Sequence, residues 1–242
     1  MNQILKTGIF PHKLKIAKVV PIFKKEDPSL FSNYRPISLL PSISKIFERI
    51  LHDQIYNFLE NNNILYGNQY GYRKKHSTEH AALKLVEDII NKLEKRFDTV
   101  AVFMDLSKAF DTIDHRILLK KLKKYNFTEG ATKLIEDYLD NREQFVYYNS
   151  SSSATAKIIM GVPQGSILGP LLFLIYIYIN DLHEASEILK PVTYADDTTY
   201  TFSPTLTYDA HHTSCIINTE LTKINNWFIA NKLSLNVKKL IS

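Results

Sequence analysis

The stretch VTYADDTTY, residues 192–200, places two carboxylates side by side among residues that favour strands. Asp is depleted in strands, so Asp196 and Asp197 need a reason to stand here. One reason is a hairpin turn, in which Asp is common. The other is a metal site. Neighbours on a regular strand point to opposite faces, so only a turn would let both acids reach one site. The stretch therefore predicts a hairpin and leaves both readings of its tip open.

A third carboxylate follows another strand-like stretch. In FMDLSKAFD, residues 103–111, the apolar run 100–104 ends at Asp105 and predicts a strand buried on both faces. A carboxylate in such a place is costly unless it is paired or binds a cation. If the two strands lie side by side, Asp105 and Asp196 come together and recruit a cation or shift one pKa upward. Carboxylates holding two metal ions are the arrangement for nucleotidyl transfer.

Glycines concentrate in GVPQGSILGP, residues 161–170, which holds three of the seven in the chain. Glycine adopts positive φ and lets the backbone approach a ligand closely. The pattern predicts a tight loop from Gly161 to Gly165 and a helix opening at Ser166. Gln164, between two turn formers, suggests a donor and acceptor presented to a substrate edge. The alternative is a structural turn before a core helix.

A basic hairpin is predicted near the N-terminus, in KVVPIFKKEDPSLFSNYRPISLL, residues 18–40. Lys24, Lys25 and Arg35 flank it, and such residues can clamp a triphosphate. A solvated basic loop is the alternative for a cluster of this kind standing alone. The net charge of +5 permits a polyanionic partner without proving one.

Bulk composition narrows the class of protein. With 242 residues, 45% of them hydrophobic, the chain can build a core. The single Cys215 excludes an internal disulfide framework and predicts an intracellular, reducing compartment, without distinguishing nucleus from cytoplasm. The most apolar stretch, 167–179, is shorter than the roughly 20 residues of a bilayer span. It is interpreted as a buried helix, and no membrane partner is expected.

Periodicity predicts helices and strands interspersed without βαβ regularity, which is typical of the α+β class. The predicted helices cover 42–60, a segment capped by Ser77, 113–124, 130–140, a segment from Ser166, and 213–230. The predicted strands cover 100–104, 144–148 and 156–160, besides the two hairpins.

Together these stretches resemble the reverse transcriptase domain of non-LTR (LINE-like, jockey-type) retrotransposons. Seven pieces in the family's order cover nearly the whole chain: NYRPISLL (33–40), QYGYRKKHST (69–78), FMDLSKAFDTIDH (103–115), YLDNREQ (138–144), GVPQGSILGPLLF (161–173), YADD (194–197) and NKLSLNVKK (231–239). YADD alone would be a weak signal, whereas seven ordered pieces are highly specific.

The resemblance implies a right-hand polymerase whose antiparallel palm sheet packs on helices. Fingers would cover about 1–97 and 119–155, and palm about 98–118 and 156–242. The implied activity is that of an RNA-directed DNA polymerase of a mobile element. It would use two Mg²⁺ ions, or Mn²⁺ in their place. The implied partners are an RNA template, a DNA primer, dNTP, and the element RNA as a ribonucleoprotein.

The same resemblance implies roles for particular residues. Asp105, Asp196 and Asp197 match the family's metal-binding carboxylates, with Asp197 the second-tier member. Lys239, three residues after Asn236, matches a late lysine proposed to protonate pyrophosphate.

Four further matches concern the nucleotide. Phe110 matches the position that stacks under the incoming sugar and excludes a 2′-hydroxyl. Gln164 and Gly165 match the loop at the nascent base pair. Arg35, together with Lys24 or Lys25, matches the fingers residues that hold the triphosphate.

Two other patterns have competing readings. HSTEH, residues 76–80, fits the H-x-x-E-H metalloprotease pattern, but Ser77 is expected to cap a helix and leave His76 outside it. Asp111, Asp114 and His115 suggest a metal cluster, but the favoured reading is that Asp111 caps a helix whose first turn holds Asp114.

Relative to the family pattern, the chain is expected to lack the thumb and to be truncated at both ends. LIYIYIND, residues 174–181, carries two extra residues, which rotate a helix by about 200° and must be absorbed before Asp196. Two functions stay open: an RNA-directed DNA polymerase, and a truncated, inactive nucleic-acid-binding remnant. Phe110 disfavours a third, an RNA-dependent RNA polymerase.

Overall fold

Helices and strands are interspersed along the part of the chain that the structure describes. The computed structural model describes residues 2–97, 99–174, 181–203 and 210–236. They belong to two compact units, the first formed by Met1–Leu59 and Phe110–Tyr176 and the second by Glu60–Ala109 and Ile177–Ser242.

The helices and strands of these residues match the predicted ones closely. Their order is α1 (Asn2–Thr7), β1 (Ile16–Phe23), β2 (Tyr34–Leu39), α2 (Ser42–Asn61), α3 (Thr78–Glu94), β3 (Val100–Met104), α4 (His115–Lys124), α5 (Glu129–Leu139), β4 (Arg142–Tyr148), β5 (Ser151–Ser152), β6 (Ala156–Ile158), α6 (Leu168–Phe173), β7 (Pro191–Tyr194), β8 (Asp197–Phe202) and α7 (Ala210–Ala230). The ranges predicted for helices at 42–60, 113–124, 130–140 and 213–230 and for strands at 100–104, 144–148 and 156–160 are confirmed to within three residues at each end. Of the buried helix expected over 167–179, the structure describes α6, and residues 175–179 lie outside the described ranges.

The first unit contains a mixed sheet of order β2-β1-β4-β5, with β6 also paired to β4. The hairpin predicted within 18–40 is confirmed, because β1 and β2 pair antiparallel from Lys18↔Leu39 to Phe23↔Tyr34. Strand β1 then pairs parallel with β4. This leaves the hairpin turn between β1 and β2 at one end of the sheet.

A buried acid links helix α2 to the glycine-rich loop in the first unit. Glu48 is fully buried, and its Oε2 accepts hydrogen bonds from Ile167 N at 2.7 Å and Leu168 N at 3.4 Å. The first N–H groups of a helix lack partners within the helix, so Glu48 supplies the cap of α6. Ser44 Oγ donates to Glu48 Oε1 at 3.1 Å. The start of α6, directly after the loop, is therefore fixed by a residue that lies about 120 positions earlier.

The second unit contains an antiparallel sheet of order β3-β8-β7, on which α3 packs. The prediction that residues 100–104 form a strand is confirmed, but the prediction that it is buried on both faces is wrong. Met104 is buried, whereas 62% of Phe103 is exposed. Strand β3 lies at the edge of an antiparallel sheet, and such sheets often leave one face open.

Helix caps confirm one prediction and correct another. Ser77 caps α3 by accepting a hydrogen bond from His80 N at 3.3 Å, so His76 lies outside the helix as expected. Asp111 does not cap α4. Asp114 does, because its extended backbone directly precedes the helix and its Oδ1 accepts from Arg116 N at 2.9 Å.

Several predictions lie outside the described residues. These are the two extra residues near Tyr176–Tyr178 and the role of Lys239 near the end of the chain. Across the ranges that are described, no helix is both long and apolar enough to cross a membrane.

Candidate active site

The YADD stretch forms the tip of the β7–β8 hairpin, as predicted. Tyr194 pairs with Asp197, so Ala195 and Asp196 are the two residues of the turn. Ala195 has φ +57°, which suits the first central position of a type II′ turn. An L-residue in this left-handed region costs about 1–2 kcal/mol, so the turn carries strain directly before Asp196.

Asp105 lies at the same end of the second unit's sheet. Strands β3 and β8 pair antiparallel, and their last pair is Met104↔Thr198. Asp105 directly follows Met104, and Asp197 directly precedes Thr198, so both acids lie one residue beyond this last pair. The prediction that the two strands lie side by side is therefore confirmed.

The metal-binding role of these acids stays a prediction. Within the described ranges, no three His, Cys, Asp or Glu side chains are arranged so that they could hold a metal ion. What the sheet provides is three carboxylates on adjoining strand ends and the turn beside them. Such oxygen ligands suit a hard divalent cation.

Asn236 holds Asp105 by two hydrogen bonds. Its Nδ2 donates to Asp105 Oδ2 at 2.9 Å, and its backbone N donates to Asp105 O at 2.8 Å. Nearby, Leu106 and Leu235 form an antiparallel bridge. In the sequence, Asn236 of NKLSLNVKK served only to locate Lys239, three residues later. The orienting role was missed, although this piece of the family pattern contained the residue.

Tyr72 is a second residue that sequence reasoning missed. Desolvation and, after it, the negative charge of Asp196 raise the pKa of the Tyr72 phenol to about 12. Tyr72 lies in QYGYRKKHST and has a left-handed backbone, φ +58°. At neutral pH its hydroxyl stays protonated and remains able to donate a hydrogen bond in the neighbourhood of Asp196.

The glycine-rich loop of the first unit is tight, as predicted. Gly161 and Gly165 have φ +80° and +115°, which L side chains rarely adopt. A Cβ at Gly161 would lie 2.8 Å from Phe110 O, and Val162 N donates to that same oxygen at 2.9 Å. The loop therefore needs glycine to pack against the backbone of Phe110 and Asp111.

Gln164 is held from two sides. Its Nε2 donates to Asp111 Oδ1 at 3.0 Å, and its backbone oxygen accepts from Ser38 N at 2.7 Å. The same residues border a cleft of about 370 Å³ between the loop and the first unit's sheet. Asp111 thus orients the Gln164 amide instead of capping α4. Contact of Gln164 and Gly165 with a base pair stays a prediction.

Phe110 is stacked on Phe173, with ring centroids 4.7 Å apart and planes inclined by 14°. This contact fixes the orientation of the Phe110 ring, which is half-buried. Phe110 is the residue at which the chain returns to the first unit. The geometry is compatible with a rigid stacking platform, and its role under a sugar stays a prediction.

The three predicted triphosphate ligands are exposed near the β1–β2 turn. Arg35 pairs with Ile22 in the hairpin, and Lys24 follows the end of β1. Lys25 forms an exposed ion pair with Glu26 at 3.6 Å, which is worth little in water. The basic groups lie on the hairpin as expected, and their contact with a triphosphate stays a prediction.

Comparison with known families identifies the class of protein. Residues 22–241 match the family model described as "Reverse transcriptase (RNA-dependent DNA polymerase)". The chain belongs to this reverse transcriptase family. The resemblance inferred from the seven sequence pieces is thereby confirmed.

Similar proteins of mobile elements cover most of this reverse transcriptase sequence. It is 34% identical over 208 residues to a probable RNA-directed DNA polymerase from transposon BS of Drosophila melanogaster, covering 84% of this chain and 23% of that protein. It is 30% identical over 246 residues to the RNA-directed DNA polymerase from mobile element jockey of Drosophila funebris, covering 98% and 26%. The chain thus spans about a quarter of the length of these relatives.

Solved telomerases share the fold of this reverse transcriptase. An apo telomerase from Candida tropicalis, truncated from its C-terminal domain, has a TM-score of 0.64 at 12% identity, covering 98% of this chain and 53% of that one. A Candida albicans telomerase complex with telomeric RNA has a TM-score of 0.63 at 14% identity, covering 96% and 44%. At such identities the likeness concerns the fold alone.

Proposed function

We propose that this reverse transcriptase domain catalyses RNA-directed DNA synthesis for a non-LTR mobile element. It would transfer a deoxynucleotide from dNTP to a primer 3′-hydroxyl and release pyrophosphate. The observation that carries the proposal is the pairing of Met104 with Thr198. It puts Asp105 and Asp197 one residue beyond the last pair of β3 and β8, with the Asp196 turn next to Asp197. Relatives named RNA-directed DNA polymerases support the reaction.

The acids of the β3–β8 end are the proposed metal ligands. Asp105 and Asp196 would share two Mg²⁺ ions, with Mn²⁺ as a substitute, and Asp197 would act from the second tier. Their oxygens are the ligands that these hard cations prefer. When bound, such ions activate the attacking hydroxyl and neutralise the leaving pyrophosphate. Asn236 would keep the Asp105 carboxylate oriented through its hydrogen bond at 2.9 Å.

The first unit carries the groups proposed to select and hold dNTP. Phe110, fixed by its stack on Phe173, would lie under the sugar and exclude a 2′-hydroxyl. Gln164 and Gly165 would contact the nascent base pair. The exposed basic residues of the β1–β2 hairpin would bind the triphosphate by charge-assisted hydrogen bonds; they are Lys24, Lys25 and Arg35.

The proposed polymerase subdomains follow the family pattern. Fingers would cover about 1–97 and 119–155, and palm about 98–118 and 156–242. The template would be RNA and the primer DNA, with the element RNA carried as a ribonucleoprotein. Lys239, outside the described residues, would act as the acid for pyrophosphate.

Primer extension tests the proposal directly. The chain is mixed with oligo(dT) annealed to poly(A), dTTP and Mg²⁺, and extension is followed on a sequencing gel. We expect incorporation that stops when EDTA removes the metal. Template binding without any incorporation would contradict the polymerase assignment for this chain and support the inactive, nucleic-acid-binding remnant.

Asn236→Ala should weaken metal binding, so that incorporation needs a higher Mg²⁺ concentration. Residues that orient a metal ligand typically contribute about 10–100-fold in metal affinity or activity. We therefore expect the Mg²⁺ concentration for half-maximal extension to rise by about tenfold. Asn218→Ala, at an exposed position of α7, is the control and should leave that concentration unchanged. An unchanged Mg²⁺ dependence in Asn236→Ala would contradict the orienting role.

A further inference from the structure

A short segment, residues 68–71 across the start of the QYGYRKKHST stretch, extends the second unit's sheet beyond β7. Thr193 N donates to Asn68 O at 3.0 Å, and Tyr70 N donates to Thr193 O at 2.9 Å. Gln69 and Thr193 form a parallel bridge. Residues 68–71 therefore run alongside the strand that leads into the YADD turn.

Gln69 fixes the register of this segment. The residue is fully buried, and its Oε1 accepts from Thr193 Oγ1 at 2.7 Å and from Gly71 N at 3.3 Å. One amide oxygen thus joins β7 to the backbone of the segment. A slip of the segment along β7 would break the hydrogen bond from Thr193 Oγ1, while the one from Gly71 N holds Gly71 to Gln69 within the segment. Together they place Gly71 beside the end of the strand.

Gly71 lies against the backbone of the turn itself. A Cβ added to Gly71 would collide with Ala195 N and would lie 2.8 Å from Ala195 Cα and 3.0 Å from Tyr194 C. The φ of Gly71 is outside the left-handed region, so close approach, not backbone conformation, requires glycine here. No flexible side chain is available among these contacts to move aside.

Gly71 contacts Ala195, the turn residue whose backbone is strained. Ala195 has φ +57° and directly precedes Asp196. Sparsely populated backbone conformations persist only where the surroundings over-determine them. The hydrogen bonds of residues 68–71 with Thr193 and the contact of Gly71 with Ala195 together supply such surroundings.

We propose that Gly71 is a positioning residue for Asp196. Its backbone supports the Ala195 turn and thereby sets the direction in which the Asp196 carboxylate points toward the metal. This inference rests on the proposed polymerase function for its kinetic consequence, but metal binding tests it independently. A side chain at position 71 would push the turn away and weaken metal binding without touching the nucleotide.

Gly71→Ala tests the inference, with Gly67→Ala as the matched control because nothing lies within 4 Å of a Cβ there. Free Mn²⁺ is measured by electron paramagnetic resonance during titration of each chain. Disturbed orientation of a ligand costs about 10–100-fold in metal affinity or activity. We expect Gly71→Ala to weaken Mn²⁺ binding by about tenfold and to lower kcat similarly, with an unchanged KM for dNTP.

A second variant separates positioning from general damage. In Gly71→Ala/Ala195→Gly, glycine at position 195 lets the turn adjust without strain, so Mn²⁺ affinity should recover in part. If Gly71→Ala fails to fold by circular dichroism, Gln69→Met removes the two hydrogen bonds instead and should weaken Mn²⁺ binding in the same direction.

The outcomes distinguish this inference from the proposed function. Wild-type Mn²⁺ binding in folded Gly71→Ala, or an equal loss in Gly67→Ala, would overturn it, as would absent Mn²⁺ binding in the wild type. If the wild type incorporates no dNTP while Gly71→Ala still loses Mn²⁺ affinity selectively, the polymerase proposal falls and the positioning role stands.

Discussion

Asp196→Asn should lower dNTP incorporation by about a thousandfold, which corresponds to roughly 4 kcal/mol of transition-state stabilisation. The substitution keeps the size of the side chain but removes the charge that would hold the metal ions. RNA binding depends mainly on phosphate contacts and should change by less than about twofold. Single-turnover extension measures the first quantity, and fluorescence anisotropy with labelled RNA measures the second.

Asp140→Asn is the matched control for charge loss. Asp140 is exposed at the end of α5 in the first unit, and its substitution should leave extension unchanged. Asp197→Asn should lose less activity than Asp196→Asn, as expected of the second-tier acid. Retained activity in Asp196→Asn would show that the carboxylate of the turn is not a metal ligand.

The hairpin and its acids could be predicted because their signals are local. Strand-favouring residues flank Asp196 and Asp197, and an apolar run precedes Asp105. These signals predicted strands that lie side by side, and the register Met104↔Thr198 became visible only in the structure. Roles in nucleotide binding came from the family resemblance, since neither the stack of Phe110 nor the exposure of Arg35 specifies a substrate.

The supporting contacts could not be predicted because they join distant parts of the chain. Asn236 lies 131 positions from the Asp105 that it holds. Gly71 packs on Ala195, and nothing in either local sequence indicates the partner. A glycine in a motif predicts a turn as readily as a close approach of two backbones.

Two errors have a simpler physical origin. An apolar run such as 100–104 predicts a strand, but it does not distinguish a central strand from an edge strand. The order β3-β8-β7 places β3 at the edge, where Phe103 is exposed. Asp111 and Asp114 both precede α4 and both suit a cap. Only the backbone decides, because the cap must directly precede the first helical residue.

Phe110→Ala should shift the choice of nucleotide toward ribonucleotides. Removing the ring opens space under the sugar, and steric selection of this kind is worth about 100-fold. We expect the ratio of kcat/KM for NTP to that for dNTP to rise by about that factor, or roughly 2.7 kcal/mol. Single-nucleotide extension with UTP and dTTP on a poly(A) template measures both values.

The stack on Phe173 makes a conservative variant informative. Phe110→Tyr keeps the ring and its centroid contact of 4.7 Å, so it should keep selection against the 2′-hydroxyl. Phe110→Ala also loses packing, which lowers stability and reduces incorporation of both nucleotides alike, whereas only a steric gate changes their ratio. An unchanged ratio in Phe110→Ala would remove Phe110 from sugar selection. Equal use of UTP and dTTP by the wild type would revive the RNA polymerase reading, because then the ring beside Phe173 would exclude nothing.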